Sequence, residues 1–93
     1  MPKINSMTVI AAYDVSDDRI RSAVEEYLED ELGAVRRTES VFEFVYSPPV
    51  TPEYGVIAKR LRRMIDTDHG DELYLWDLEH GQLRRLAVHR LPR

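Results

Sequence analysis

The order of two amphipathic segments and several short apolar runs limits most strongly what this chain can fold into. Apolar residues recur at helical spacing after residue 18 and again after residue 53, so each segment presents one apolar face. Runs typical of β-strands lie before, between and after them. The predicted order is β-α-β-β-α-β, in which each helix needs a sheet to cover its apolar face.

The strands are predicted at residues 7–13, in two pieces between residues 35 and 46, and at residues 73–78. The first run is apolar at nearly every position, which favours a central strand covered on both faces. Residues 86–88 are expected to add a short edge strand. Ser16 or Asp17 is expected to cap the first helix and Gly33 to end it, whereas the Thr51 hydroxyl is expected to cap the second.

This order is the ferredoxin-like pattern of an α+β sandwich. We expect a single domain over residues 1–93, with a core of about residues 7–78 and a basic tail at 79–93. A monomer of this length leaves much surface exposed, which favours a homodimer. The fold carries many functions and therefore settles none.

Composition excludes several classes of protein. The chain has no cysteine for disulfides or thiolate metal sites, and no apolar run of the kind that a signal peptide or membrane span needs. We therefore expect a cytoplasmic protein without a membrane partner. The net charge of −4 disfavours general nucleic-acid binding, but residues 1–50 carry a net −5 and residues 51–93 a net +1. Any contact with phosphate must use local basic patches.

Two motifs carry a resemblance to a known family. Residues 13–19 read Tyr-Asp-Val-Ser-Asp-Asp-Arg, and residues 40–43 read Ser-Val-Phe-Glu. Both, at this separation, resemble the CRISPR-associated protein 2 family over roughly residues 7–78. The resemblance implies a ferredoxin-like homodimer that acts in CRISPR adaptation, the acquisition of spacers, together with a CRISPR integrase subunit. It also implies that the tail reaches the partner subunit.

The resemblance further implies that the Asp14 carboxylates of two subunits share a divalent cation across a two-fold axis. Two close carboxylates repel each other unless a cation or a proton lies between them, and oxygen ligands favour Mg²⁺ or Mn²⁺. Such an ion could activate water for phosphodiester hydrolysis, which makes Asp14 the candidate catalytic and metal-binding residue. The alternative is that Asp14 serves only as a cap or turn residue.

Basic side chains are the candidates for contact with DNA or RNA. Because side chains alternate along a strand, Arg36 and Arg37 cannot both face one side of the sheet. The basic residues of the second helix form either an ordinary solvated face or a local phosphate-binding patch. The candidates are Arg19, Arg36, Arg37, Lys59, Arg60, Arg62 and Arg63.

Three functions stay open at this point. The first is a structural, nucleic-acid-binding subunit of the adaptation machinery. The second is a metal-dependent endonuclease on RNA or double-stranded DNA, and both can hold for one protein. The third is a ferredoxin-like toxin ribonuclease or regulatory domain without a connection to CRISPR.

Overall fold

A computed structural model describes the backbone of residues 7–47, 50–79 and 82–89, and side chains at 8–47, 50–53 and 55–76. The strands are β1 (Met7–Asp14), β2 (Val35–Thr38), β3 (Val41–Tyr46), β4 (Glu72–Glu79) and β5 (Gln82–His89). The helices are α1 (Asp18–Glu26), which continues into a π-helical turn (Tyr27–Glu31), and α2 (Tyr54–Met64), which is followed by a 3₁₀ turn (Thr67–His69).

The strands form one antiparallel sheet in the order β2-β3-β1-β4-β5. The first strand is central, as predicted, and the first four strands with the two helices have the ferredoxin-like arrangement. The fifth strand is longer than the predicted edge segment, because it pairs with β4 along its whole length. How the tail lies against a partner subunit stays a prediction.

The core lies between the helices and one face of the sheet. Phe42 and Leu75 contribute fully buried side chains from the sheet, and Leu28 and Leu61 do so from the helical side. On the opposite face, which we call the helix-free face, β1 is only partly covered. The expectation that both faces of β1 are covered is therefore wrong for a single chain. Val35 and Val45 expose about half of their surface there.

The ends of the helices decide between the predicted caps. The Asp17 carboxylate accepts hydrogen bonds from the N–H groups of Arg19 and Ile20, so Asp17 and not Ser16 caps α1. The predicted Thr51 cap is wrong, because α2 begins at residue 54. The buried Thr51 hydroxyl instead accepts a hydrogen bond from the Ser47 N–H at 3.0 Å. Gly33 follows the first helix with φ at 67°, as expected for its end.

Candidate functional site

An open cleft of about 780 Å³ lies at the end of β1. Asp14 is the last residue of that strand and is exposed. The cleft gathers residues from the β1–α1 segment, from α1 and from the β2–β3 hairpin. Its lining consists of Tyr13, Asp14, Val15, Arg21, Glu25, Arg36, Glu39 and Ser40. Of the predicted site residues, Asp14 and Arg36 both line this cleft.

A hydrogen-bonded network holds Arg36 in this cleft. Its guanidinium forms an ion pair with Glu25 at 3.0 Å and donates to the main-chain carbonyl of Glu39 at 2.9 Å. The same guanidinium lies 4.8 Å from the ring centroid of Phe42, within cation–π range. Partial burial lowers the pKa of Arg36, but the hydrogen bond and charge of Glu25 outweigh this effect and raise the pKa above its usual value. Arg36 is thus a permanently charged, fixed side chain.

Tyr13 belongs to the same network and contacts it from the buried core. Its hydroxyl donates to the Glu25 carboxylate at 2.6 Å and lies 3.1 Å from the carbonyl of Glu39, while its ring packs against Phe42. Burial raises the pKa of Tyr13 well above its usual range, and the Glu25 carboxylate raises it further. Tyr13 is part of the buried core, and its bond to Glu25 had no signal in the sequence.

The cleft contains a second arginine, Arg21, which was not among the candidates predicted from the sequence. Arg21 donates to the main-chain carbonyl of Val15 at 3.1 Å and forms an ion pair with Asp18. Arg19 was the candidate on this helix, but Arg21, half a turn further on, is the arginine that lines the cleft. The sequence spacing shows that Arg21 and Glu25, four residues apart, share a side of α1, but it does not show that this side faces the cleft.

Arg37 lies away from this cleft. It pairs with Glu43 at 3.0 Å, whereas Arg36 pairs with Glu25 of α1. The prediction that these two neighbours face opposite sides of the sheet is therefore confirmed. Arg36 and Arg37 therefore do not belong to one phosphate-binding surface.

A second carboxylate, that of Glu72, lies opposite Asp14 on the neighbouring strand β4. The β1–β4 register pairs Asp14 with Glu72, and side chains of directly opposed residues are about 5 Å apart at Cβ. Strand alternation places both on the helix-free side of the sheet, since Tyr13 and Leu73 are buried in the core. The Glu72 carboxylate accepts a hydrogen bond from Tyr74 at 3.3 Å. No sequence motif indicated Glu72, because the register that opposes it to Asp14 is a tertiary property.

These oxygen donors suit a hard divalent cation, but one chain supplies few of them. Among the residues whose side chains the structure describes, no group of three or more His, Asp or Glu side chains is placed to hold a metal ion. Asp14 and Glu72 therefore fit a metal only where further ligands come from water or from a second copy of the chain.

The basic residues of α2 lie on another part of the surface. Lys59, Arg60, Arg62 and Arg63 are all exposed. Arg60 lies 5.0 Å from the ring centroid of Tyr27 and 3.9 Å from the Glu31 carboxylate. Burial raises the pKa of Tyr27, and the charge of Arg60 opposes that shift. These four residues, the α2 basic face, do not line the Asp14 cleft.

The fold and the cleft define a small ferredoxin-like α+β protein with a charged site at the end of its central strand. Within the part of the chain that the structure describes, no helix is both long and apolar enough to cross a bilayer.

A family model described as CRISPR associated protein Cas2 matches residues 7–86. The chain belongs to this family, which confirms the resemblance found in the two motifs. Membership implies a CRISPR-associated role and disfavours the unrelated toxin or regulatory domain. Comparisons with curated proteins and with solved structures gave no match.

Proposed function

We propose that this chain is a CRISPR adaptation subunit that forms a homodimer in the cytoplasm and binds DNA or RNA beside a CRISPR integrase. The observation that carries the proposal is the convergence of Asp14, Arg21 and Arg36 in one open cleft. Two anchored guanidinium groups suit the binding of a phosphodiester at this cleft, and a cation held by the Asp14 carboxylate at the same end of β1 would share its charge.

The two arginines are prepared to bind phosphate. Each is anchored by a main-chain carbonyl, Arg21 by Val15 and Arg36 by Glu39. Their side chains remain 38% and 42% exposed, so part of each guanidinium faces solvent. A guanidinium has five N–H donors, and one that is already held loses less conformational entropy when phosphate binds.

A divalent cation at Asp14 would be held by its carboxylate, with Glu72 as the second carboxylate of the same chain. When bound, such a cation supplies charge neutralisation and activation of water for phosphodiester hydrolysis. The protein's own contribution is to hold the two carboxylates in register on β1 and β4 and to fix phosphate with the arginines.

The helix-free face provides the surface for a homodimer. It carries Ile10, the stacked pair Tyr74 and Trp76 with ring centroids 5.1 Å apart, and the half-exposed Val35 and Val45. Two copies that pair through this one face form a closed two-fold assembly and cover apolar surface that a monomer leaves in water. Because Asp14 lies at the end of the same face, such pairing is compatible with a site shared by two copies.

The α2 basic face is the second contact surface in this proposal. It gives an otherwise acidic chain four exposed cations within two turns of a helix. Phosphate contacts of this kind position nucleic acid without reading its sequence, which suits a subunit that supports duplexes of any sequence.

The test compares Arg21→Ala with Arg19→Ala, which removes the same charge two residues away. Binding of a fluorescent duplex and of a single-stranded RNA is measured by anisotropy across a salt series. We expect Arg21→Ala to weaken binding and to reduce the salt slope by about one, and Arg19→Ala to do so less. Equal effects of the two variants would contradict binding in the cleft.

Cleavage is scored in the same experiment with Mg²⁺ or Mn²⁺ and with Asp14→Asn. Metal-dependent cleavage that Asp14→Asn abolishes supports the endonuclease role. Binding without cleavage by either protein supports the structural role alone. If the wild type neither binds nor cuts, the proposal fails.

A further inference from the structure

Asp71 is a buried carboxylate that lies outside the cleft. It exposes 2% of its surface and directly precedes β4. The sequence predicts only a polar loop at residues 66–71, where a carboxylate is normally solvated. A carboxylate removed from water needs hydrogen-bond donors, because leaving it unpaired costs much free energy. Its partners therefore indicate what it holds in place.

The Asp71 carboxylate joins two loops. One oxygen accepts a hydrogen bond from the Asp66 N–H at 2.8 Å, and the Asp71 N–H donates back to the Asp66 carbonyl at 3.2 Å, which closes the α2–β4 connection. The other oxygen accepts a hydrogen bond from the N–H of Ser16 at the longer distance of 3.4 Å. Asp71 thus connects the β1–α1 turn to the start of β4.

These contacts lie next to Asp14 along the chain and across the β1–β4 ladder. The residue after Asp71 is Glu72, which is the sheet partner of Asp14. The residue that Asp71 binds, Ser16, lies two positions after Asp14. The last residue of β1 is therefore paired with Glu72 of β4, and the turn that follows it is bonded to the Asp71 carboxylate.

We propose that Asp71 is a positioning residue that fixes the turn after β1 and thereby the direction of the Asp14 carboxylate. Asp71 does not line the cleft. The proposal rests on the role proposed above for Asp14. Groups that hold a metal ligand in place typically change metal affinity by about 10- to 100-fold when they are removed.

Two other contacts keep the turn folded when Asp71 is lost. The Val15 side chain is buried, and Arg21 donates to the Val15 carbonyl. A substitution at Asp71 should therefore loosen Asp14 while the fold persists. Asp71→Asn keeps one acceptor oxygen and Asp71→Ala keeps none, so their effects should be graded.

The experiment measures three quantities on wild type, Asp71→Asn and Asp71→Ala. They are hydrogen exchange of the Ser16 amide, the chemical shift of the Asp14 carboxyl carbon, and Mn²⁺ affinity by electron paramagnetic resonance. We expect exchange at Ser16 to accelerate, the Asp14 resonance to shift, and Mn²⁺ affinity to fall about tenfold in Asp71→Ala. Asp71→Asn should lie between that variant and the wild type.

Two controls separate positioning from general loss of stability. Asp68→Asn removes one exposed carboxylate from the same loop and should leave all three quantities unchanged. Ile57→Val lowers stability from the core of α2 and should leave Mn²⁺ affinity unchanged. An equal loss of Mn²⁺ affinity in Ile57→Val would overturn the proposal.

The metal role of Asp14 and the positioning role of Asp71 fail in different ways. Mn²⁺ binding that is absent, or unaffected by Asp14→Asn, removes the metal role only. Unchanged Ser16 exchange and an unchanged Asp14 resonance in Asp71→Ala overturn the positioning role whether or not Mn²⁺ binds.

Discussion

Replacing Glu25 with alanine should destabilise the protein more than replacing any neighbouring surface carboxylate. Glu25 accepts the 2.6 Å hydrogen bond from the hydroxyl of Tyr13, a residue with 5% exposure, and pairs with Arg36. A hydrogen bond to a charged acceptor contributes about 1.5–3 kcal/mol. Tyr13 keeps its contact with the Glu39 carbonyl, which favours the lower half of that range. The ion pair adds little, because water screens the exposed guanidinium.

We therefore expect Glu25→Ala to lower the free energy of unfolding by about 2 kcal/mol. The assay is urea denaturation at one fixed protein concentration, because association would make stability depend on concentration. Glu26→Ala is the matched control, since Glu26 is the next residue of α1 and is exposed. Its effect should stay within about 0.5 kcal/mol.

A double-mutant cycle isolates the interaction between the two side chains. Tyr13→Phe should cost about 1.5 kcal/mol more in the wild type than in Glu25→Ala, because the second background has already lost the acceptor. A coupling energy below about 0.5 kcal/mol would refute the reasoning, as would a Glu26→Ala variant that is as unstable as Glu25→Ala.

Three further outcomes are expected in the same denaturation assay. Asp17→Ala should lose about 1 kcal/mol of stability and Ser16→Ala much less, because only Asp17 caps α1; equal losses would contradict this. Gly33→Ala should lower the free energy of unfolding by about 1–2 kcal/mol, because a residue with a side chain is strained at a φ of 67°. An added Cβ meets no atom within 4 Å, so no steric clash contributes. An unchanged stability would contradict this expectation. Above pH 10 Tyr13 loses its proton in the unfolded chain but keeps it in the folded protein, so the free energy of unfolding should fall with rising pH. This fall should be steeper in the wild type than in Tyr13→Phe, by at most about 1.4 kcal/mol per pH unit. Parallel curves for the two proteins from pH 9 to 11 would contradict the raised pKa of Tyr13.

The sequence by itself determined the order of the elements and the central place of β1. Apolar spacing is a local property, so residues 7–13 and the periodic face of α1 could be read without tertiary information. The two motifs placed Asp14 at the end of that strand and indicated the family. Strand alternation also predicted that Arg36 and Arg37 would lie on opposite sides of the sheet.

Only the tertiary structure decided which side chains share the site. The choice of Arg21 over Arg19 depends on how α1 is rotated against the sheet, and the pairing of Asp14 with Glu72 depends on the β1–β4 register. The burial of Asp71 depends on two N–H donors, that of Ser16, which is 55 residues away along the chain, and that of Asp66, which is five residues away. Hydrophobic periodicity encodes which face of an element is buried, but register, helix rotation and the pairing of buried charges arise only when distant segments pack together.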